Sequence, residues 1–233
     1  MQERFAKYAL LLALALAASA SPAQSLPPDA LLRAVSVEVI DKINQDRDLQ
    51  AANPAKVAAL VETSIMPLFD FVHMTRLAMA RNWRVATPQQ QQALTAEFRT
   101  MLVRTYSTAL GQYHGEAIDF RQLRAEPHAT EVTVRSEVRQ PGKERMTLDY
   151  HMENTAAGWK IYDVKLAGVR LVSTYREVFA EKIREGGVDG LIKSLADGNR
   201  GGASKFNSVK DSFWQKSRVI YAIFQDLFRG GRQ

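Results

Sequence analysis

Apolar residues recur along this chain with two different periods, and the switch between them divides it. Leu32, Val35, Val39 and Ile43 fall three or four apart, which predicts an amphipathic helix after the stop at residues 26–29, with Asp29 placed to cap it. Asn53 and Pro54 open a second helix, as cap and first position, lined by Val57, Leu60, Val61 and Ile65 and broken by Pro67. Residues 69–81 read as a third, apolar on two flanks. Thr87, Pro88 and Gln90 form a capping box before the clearest helix, whose stripe is Leu94, Phe98, Met101, Leu102, Thr105 and Ala109, ending at Gly111 or Gly115. The period then becomes two. Residues 118–121, 132–138, 146–152 and 159–164 alternate, with turn signals at Pro141-Gly142 and Ala157-Gly158. Four short-joined strands predict an antiparallel meander covered on one face. Helical spacing returns over 171–183, stops at Gly186-Gly187 and restarts over 188–195. Helices, then a sheet, then helices make an α+β fold.

The two ends read differently. Arg4 and Lys7 precede an unbroken apolar run over 8–18, followed by small residues. That order is a secretory signal peptide, over 1–23, and the run is too short to be a stable membrane span. Residues 198–205 read as a linker, and 206–229 as a basic, aromatic amphipathic helix that docks on the body, meets a membrane or partner, or is a disordered extension that does neither. The formal charge of +6 is concentrated here. Residues 201–233 carry six Lys or Arg against Asp211 and Asp226, leaving the body close to neutral. A neutral body argues against a nucleic-acid groove. The absence of Cys rules out thiol chemistry and makes packing carry the stability of an exported domain.

Little in the chain points to catalysis. His73, His114, His128 and His151 make no tight metal-ligand spacing, and no GxSxG is present. Asp70 and His73 suit a polar helix pair. Asp149 and Asp163, on neighbouring strands, suit outward charges better than an acid-base pair. What is abundant is flexible or aromatic apolar matter. Met66, Phe69, Phe71, Met74, Leu77, Met79 and Trp83 crowd one segment, Phe98, Met101, Leu102 and Tyr106 a second, and Tyr150, Trp159, Ile161 and Tyr162 a third. Such walls can be packed solid or enclose a mobile apolar ligand, and periodicity leaves both open.

Five ordered pieces of sequence carry a resemblance: residues 71–83 with 86–90 (FVHMTRLAMARNW, ATPQQ), 98–106 (FRTMLVRTY), 159–164 (WKIYDV), 168–179 (GVRLVSTYREVF) and 186–192 (GGVDGLI). Together they resemble the MlaC/Ttg2D family of periplasmic phospholipid-binding proteins, over about residues 31–195. The resemblance implies an NTF2-like mixed domain over 26–197, with a curved antiparallel sheet and helices around an apolar lipid cavity. Where family markers and apolar pattern coincide, the expected walls are Phe71, Met74, Leu77, Trp83, Phe98, Leu102, Tyr106, Tyr150, Ile161, Val164, Val172 and Tyr175. Arg76, Arg81, Arg84, Arg170 and Arg176 are expected on the headgroup side. Ala80 stands where the family usually has Gly, which suggests ordinary helical backbone, and Arg170 where it usually has Ser.

The implied role is a periplasmic carrier, without catalytic residue, metal or cofactor, whose cargo is diacyl phospholipid. It would shuttle lipid between an outer-membrane lipoprotein-porin complex and an inner-membrane MCE-protein/ABC transporter complex, maintaining outer-membrane lipid asymmetry. It would act as a monomer, without nucleic acid. The competing readings are a small NTF2-like enzyme acting on an apolar substrate and an adaptor that binds only proteins.

Overall fold

A computed structural model describes residues 26–110, 117–126, 128–139 and 145–201. The expected signal peptide over 1–23 and the helix over 206–229 lie outside the described residues. The first helix, α1 (Pro28–Gln45), buries Leu32, Val39 and Ile43. It starts two residues earlier than Asp29 as the cap would dictate, because Pro27 and Pro28 set the first turn. Asp29 is therefore not the cap; its carboxylate accepts from the Leu123 backbone N–H at 3.2 Å. A single turn, α2 (Arg47–Gln50), is capped by Asp46 and leads to α3 (Pro54–Leu60), which is capped by Asn53. The apolar inner side of α3 runs on into a π-helical turn, Val61–Ile65, and a 3₁₀ turn, Met66–Leu68.

The next helix, α4 (Phe71–Met79), is shorter than 69–81 for a tertiary reason. Phe69 forms a parallel bridge to Ile161, and the Asp70 N–H donates to the Ile161 carbonyl at 2.8 Å. Asp70 then caps α4 by accepting from the His73 N–H at 2.7 Å. The helix α5 (Pro88–Leu110) opens on a reciprocal capping box: the Thr87 N–H donates to Gln90 Oε1, and the Gln90 N–H to Thr87 Oγ1.

The sheet is an antiparallel meander in chain order: β1 (Ala117–Phe120), β2 (Glu131–Arg139), β3 (Met146–Thr155), β4 (Gly158–Leu166) and a two-residue β5 (Val169–Arg170). Sequence alternation identified the first four. Its inner face carries Val134, Leu148, Tyr150, Met152, Ile161 and Val164. Between β3 and β4 the register slips: Tyr150 faces Val164 and His151 faces Asp163, but Met152 faces Ile161, so Tyr162 is the extra residue of a bulge.

The last helix, α6 (Leu171–Asn199), is bent at Gly186 and Gly187, where φ of 68° at Gly187 is ordinary for glycine. It is the expected pair of helices, but it extends past the expected linker start at 198: Asn199 closes the helix and its amide donates to the Glu97 side chain and carbonyl. The solid core lies between α4, α5 and α6. Phe98 meets Tyr175 and Phe179 edge-on at 5.2 and 5.0 Å, and all three are fully buried.

Asp163 joins sheet and helix. Only 1% exposed, it accepts from the Val164 and Val172 N–H groups and from Arg170 Nε at 2.7 Å. Val172 is in the first turn of α6, whose own preceding residue supplies no side-chain cap, so β4 provides it. Asp163→Ala should therefore destabilise the fold by about 3 kcal/mol in urea unfolding, since it orphans a helix donor and a cation. Arg170→Ser leaves both backbone donors satisfied but removes the cation paired with the buried carboxylate, so it should cost less than Asp163→Ala, about 1–2 kcal/mol.

Ala80 is not ordinary helix. It ends α4 at φ 49°, ψ −126°, a conformation that strains a Cβ. Ala80→Gly should raise stability by about 1 kcal/mol in thermal or urea unfolding; a loss of stability of that size would contradict the strained backbone.

Candidate functional site

Helices cover the inner face of the sheet without filling the space beneath them. An apolar cavity of about 260 Å³ remains. Its floor is Leu148 and Tyr150 of β3 and Val164 and Leu166 of β4, the inward positions of two neighbouring strands. Val61, Ile65 and Met66 come from the π-helical and 3₁₀ turns, Leu102 and Val103 from α5, Phe71 and Met74 from α4, with Phe69 and Leu171 completing the wall. The Tyr150 phenol is the one polar side chain among them, and burial pushes its pKa up, so it faces the cavity neutral.

A second cavity, of about 230 Å³, lies under α1, between Leu32, Val35, Val39 and Ile43 and the sheet residues Ile118, Phe120 and Ile161. Ile65, Phe69 and Tyr150 line both cavities and form the partition between them. The bridge from Phe69 to β4 is thus what places a ring at the centre of the hollow region.

Of the residues expected in the walls, Phe71, Met74, Leu102, Tyr150 and Val164 meet on the first cavity, and Ile161 lies on the second. Phe98, Val172 and Tyr175 instead belong to the solid core between α5 and α6, where each is at most 1% exposed. Leu77 and Trp83 are half-buried against that same core and line neither cavity. The Tyr106 side chain lies outside the described residues. Tyr162, grouped by sequence with the sheet wall, lies on the outer face, next in sequence to the inward Ile161 and stacked on His73.

Sequence reasoning passed over Leu148 and Leu166 as wall residues, although each lies two positions from a residue it chose, on the same face of its strand. It also left Val61, Ile65, Met66, Phe69, Val103 and Leu171 out of the wall. The apolar pattern marked the first four as inward or crowded but could not show that a hollow lies beside them.

The expected headgroup arginines line neither cavity. Arg76, Arg81 and Arg84 are exposed. Arg170 pairs with Asp163, and Arg176 donates from Nε and Nη2 to the Leu77 carbonyl in the last turn of α4. A different arginine touches the cavity wall. The Arg99 guanidinium lies over the Phe71 ring, 5.5 Å from its centroid, and pairs with Glu62 of the π-helical turn.

Titratable groups otherwise gather on the outer face of the sheet. His73 Nδ1 lies 2.6 Å from Glu153 Oε1, and its ring stacks on Tyr162 at 4.4 Å. Tyr162 donates to Glu131, and burial followed by that contact pushes its pKa up to about 12. His151 Nδ1 contacts Thr133 Oγ1, and burial, with Arg170 nearby, holds its pKa below the usual value. Asp149 pairs with Lys165 and Arg135 rather than with Asp163. Among the described residues no three His, Asp or Glu side chains are grouped to hold a metal ion, and no helix is long and apolar enough to cross a membrane.

Comparison with known proteins accords with this architecture. A solved structure of a phospholipid-binding protein from Ralstonia solanacearum, in complex with a phospholipid, is 38% identical and superposes with a TM-score of 0.68, over 74% of this chain and 97% of that one. The toluene tolerance protein ttg2D of Pseudomonas putida is 22% identical over 191 residues, covering 82% of this chain and 87% of the relative. The family model described as MlaC protein matches residues 33–197, nearly the whole of the described fold. The chain belongs to the MlaC protein family.

Proposed function

We propose that this protein is a periplasmic carrier of diacyl phospholipid. It holds acyl chains in the apolar cavity and passes the lipid between an outer-membrane lipoprotein-porin complex and an inner-membrane MCE-protein/ABC transporter complex. The observation that carries this reading is the cavity, whose lining offers one phenol and otherwise only apolar side chains. An acyl chain laid against these walls gains roughly 0.8 kcal/mol for each CH₂ taken from water.

The relative from Ralstonia solanacearum, solved with a phospholipid, supports the same ligand class. The basic, apolar, small-residue start of the chain supports export to the periplasm. A carrier needs no reacting group, and the His73–Glu153 pair lies on the outer face of the sheet, away from the cavity. A protein-only adaptor would have no use for unfilled volume.

The direct test is organic extraction of protein purified from the periplasm without detergent, followed by mass spectrometry. About one diacyl phospholipid or more per protein is expected; protein free of lipid would overturn the reading. Leu102→Trp should lower that occupancy while the melt stays cooperative, because the ring fills space meant for the chain. Unchanged occupancy with a stability loss of about 1–3 kcal/mol, the usual cost of overpacking, would make Leu102 plain core. Phe98→Ala should behave oppositely, losing about 3–5 kcal/mol of stability because it empties the aromatic cluster.

A further inference from the structure

We propose that Arg99 is the receptor for the lipid phosphodiester, and that Glu62 occupies its guanidinium until the headgroup arrives. The proposal rests on the carrier reading and deepens it by naming the group that meets the polar end of the cargo.

Three observations converge on Arg99. First, Leu102 and Val103 line the cavity, and Arg99 precedes them by three and four positions on α5, so it shares their face one turn away. Glu62 lies in the π-helical turn of the facing wall, next to the lining residue Val61 and within the turn that carries Ile65. The acid and the base therefore continue two apolar walls outward to the point where those walls become polar.

Second, the guanidinium lies on the ring of Phe71, itself a lining residue. Its position is thus fixed relative to the cavity, and the ring contact leaves its donor edges available. Third, the pair is half exposed, with side-chain exposures of 35% for Arg99 and 43% for Glu62. A bond so open to solvent is a weak one to give up. A phosphodiester offers the same two-oxygen geometry as the carboxylate it would displace, and the released Glu62 returns to water. None of the expected arginines combines these features, since Arg170 and Arg176 are engaged elsewhere and Arg76, Arg81 and Arg84 line neither cavity.

The arrangement makes a prediction with opposite signs at the two residues. Full-length protein is stripped of lipid and loaded with phosphatidylglycerol, phosphatidylethanolamine or diacylglycerol of the same acyl chains. Release to acceptor vesicles is then timed. Arg99→Gln should speed release of both phospholipids about tenfold or more, the scale of a lost charge-assisted hydrogen bond, and leave diacylglycerol unchanged. Glu62→Gln, by removing the competing carboxylate, should slow phospholipid release.

Equal acceleration in both variants would make the pair a mere clasp between the walls and overturn the proposal. So would acceleration of diacylglycerol to the same extent as phospholipid. Inorganic phosphate added to the loaded wild type should not change the release rate; displacement of lipid from wild type but not from Arg99→Gln would assign Arg99 to free anions instead. Wild-type protein that retains none of the three lipids would remove the carrier reading itself. Wild-type and Arg99→Gln proteins that retain all three alike would remove only the role of Arg99.

Discussion

The bulge between β3 and β4 is the local constraint on which most of this architecture depends. Strict alternation along β4 from Ile161 would send Asp163 into the apolar interior and Val164 to the outside. One extra residue, Tyr162, reverses that outcome. Val164 becomes cavity floor opposite Tyr150, and Asp163 joins the outer face, where it caps α6 and meets Arg170. Tyr162 itself stays on the outer face, its ring stacked on His73. A single inserted position thus separates an apolar face that lines the cavities from a polar face in which carboxylates, imidazoles and cations satisfy one another.

The helical layer is half solid and half hollow, and the two halves serve each other. On one side, Phe98, Tyr175 and Phe179 lock α5 against α6 with no exposed surface. On the other, the same helix α5 presents Leu102 and Val103 to open space. The rigid side fixes where the wall stands, so an unfilled volume can persist beside it. The roof opposite α5 is made from the least regular backbone in the fold, the π-helical turn Val61–Ile65 and the 3₁₀ turn Met66–Leu68. Continuing α3 as an ordinary helix would have met Pro67, which cannot donate to the turn before it. The wider turn carries Val61 and Ile65 to the cavity and delivers Phe69 to the edge of β4.

Much of this was legible in the sequence because it is local. The Thr87–Gln90 box, the Asn53–Pro54 start, the four alternating strands and the Gly186–Gly187 stop are all set by neighbours a few positions apart, and each is where its residues put it. What escaped is set by tertiary contact. Phe69 has the spacing of a helical residue but is claimed by the free edge of β4. Asp29 has the chemistry of a cap but serves a loop backbone far along the chain. Phe98 and Leu102 sit on one stripe of one helix, yet one meets rings and the other meets a void. Periodicity reports that a position faces inward; whether the inside is full depends on what the opposite wall supplies. For the same reason Arg170 looked available and is not, while Arg99, off the apolar stripe of α5, was not singled out.

The chemistry of the walls also limits what the cavity can distinguish. Dispersion and burial reward any flexible apolar chain nearly alike, and the difference of one methylene is worth only about 1–3 kcal/mol even in a tight pocket. With a neutral phenol as the sole polar lining group, no buried hydrogen bond rejects a ligand that lacks a partner for it. Tolerance of acyl chains is therefore built into the interior. Any strong discrimination among cargoes must come from the polar end, at the boundary where the apolar faces of α5 and the π-helical turn give way to charge.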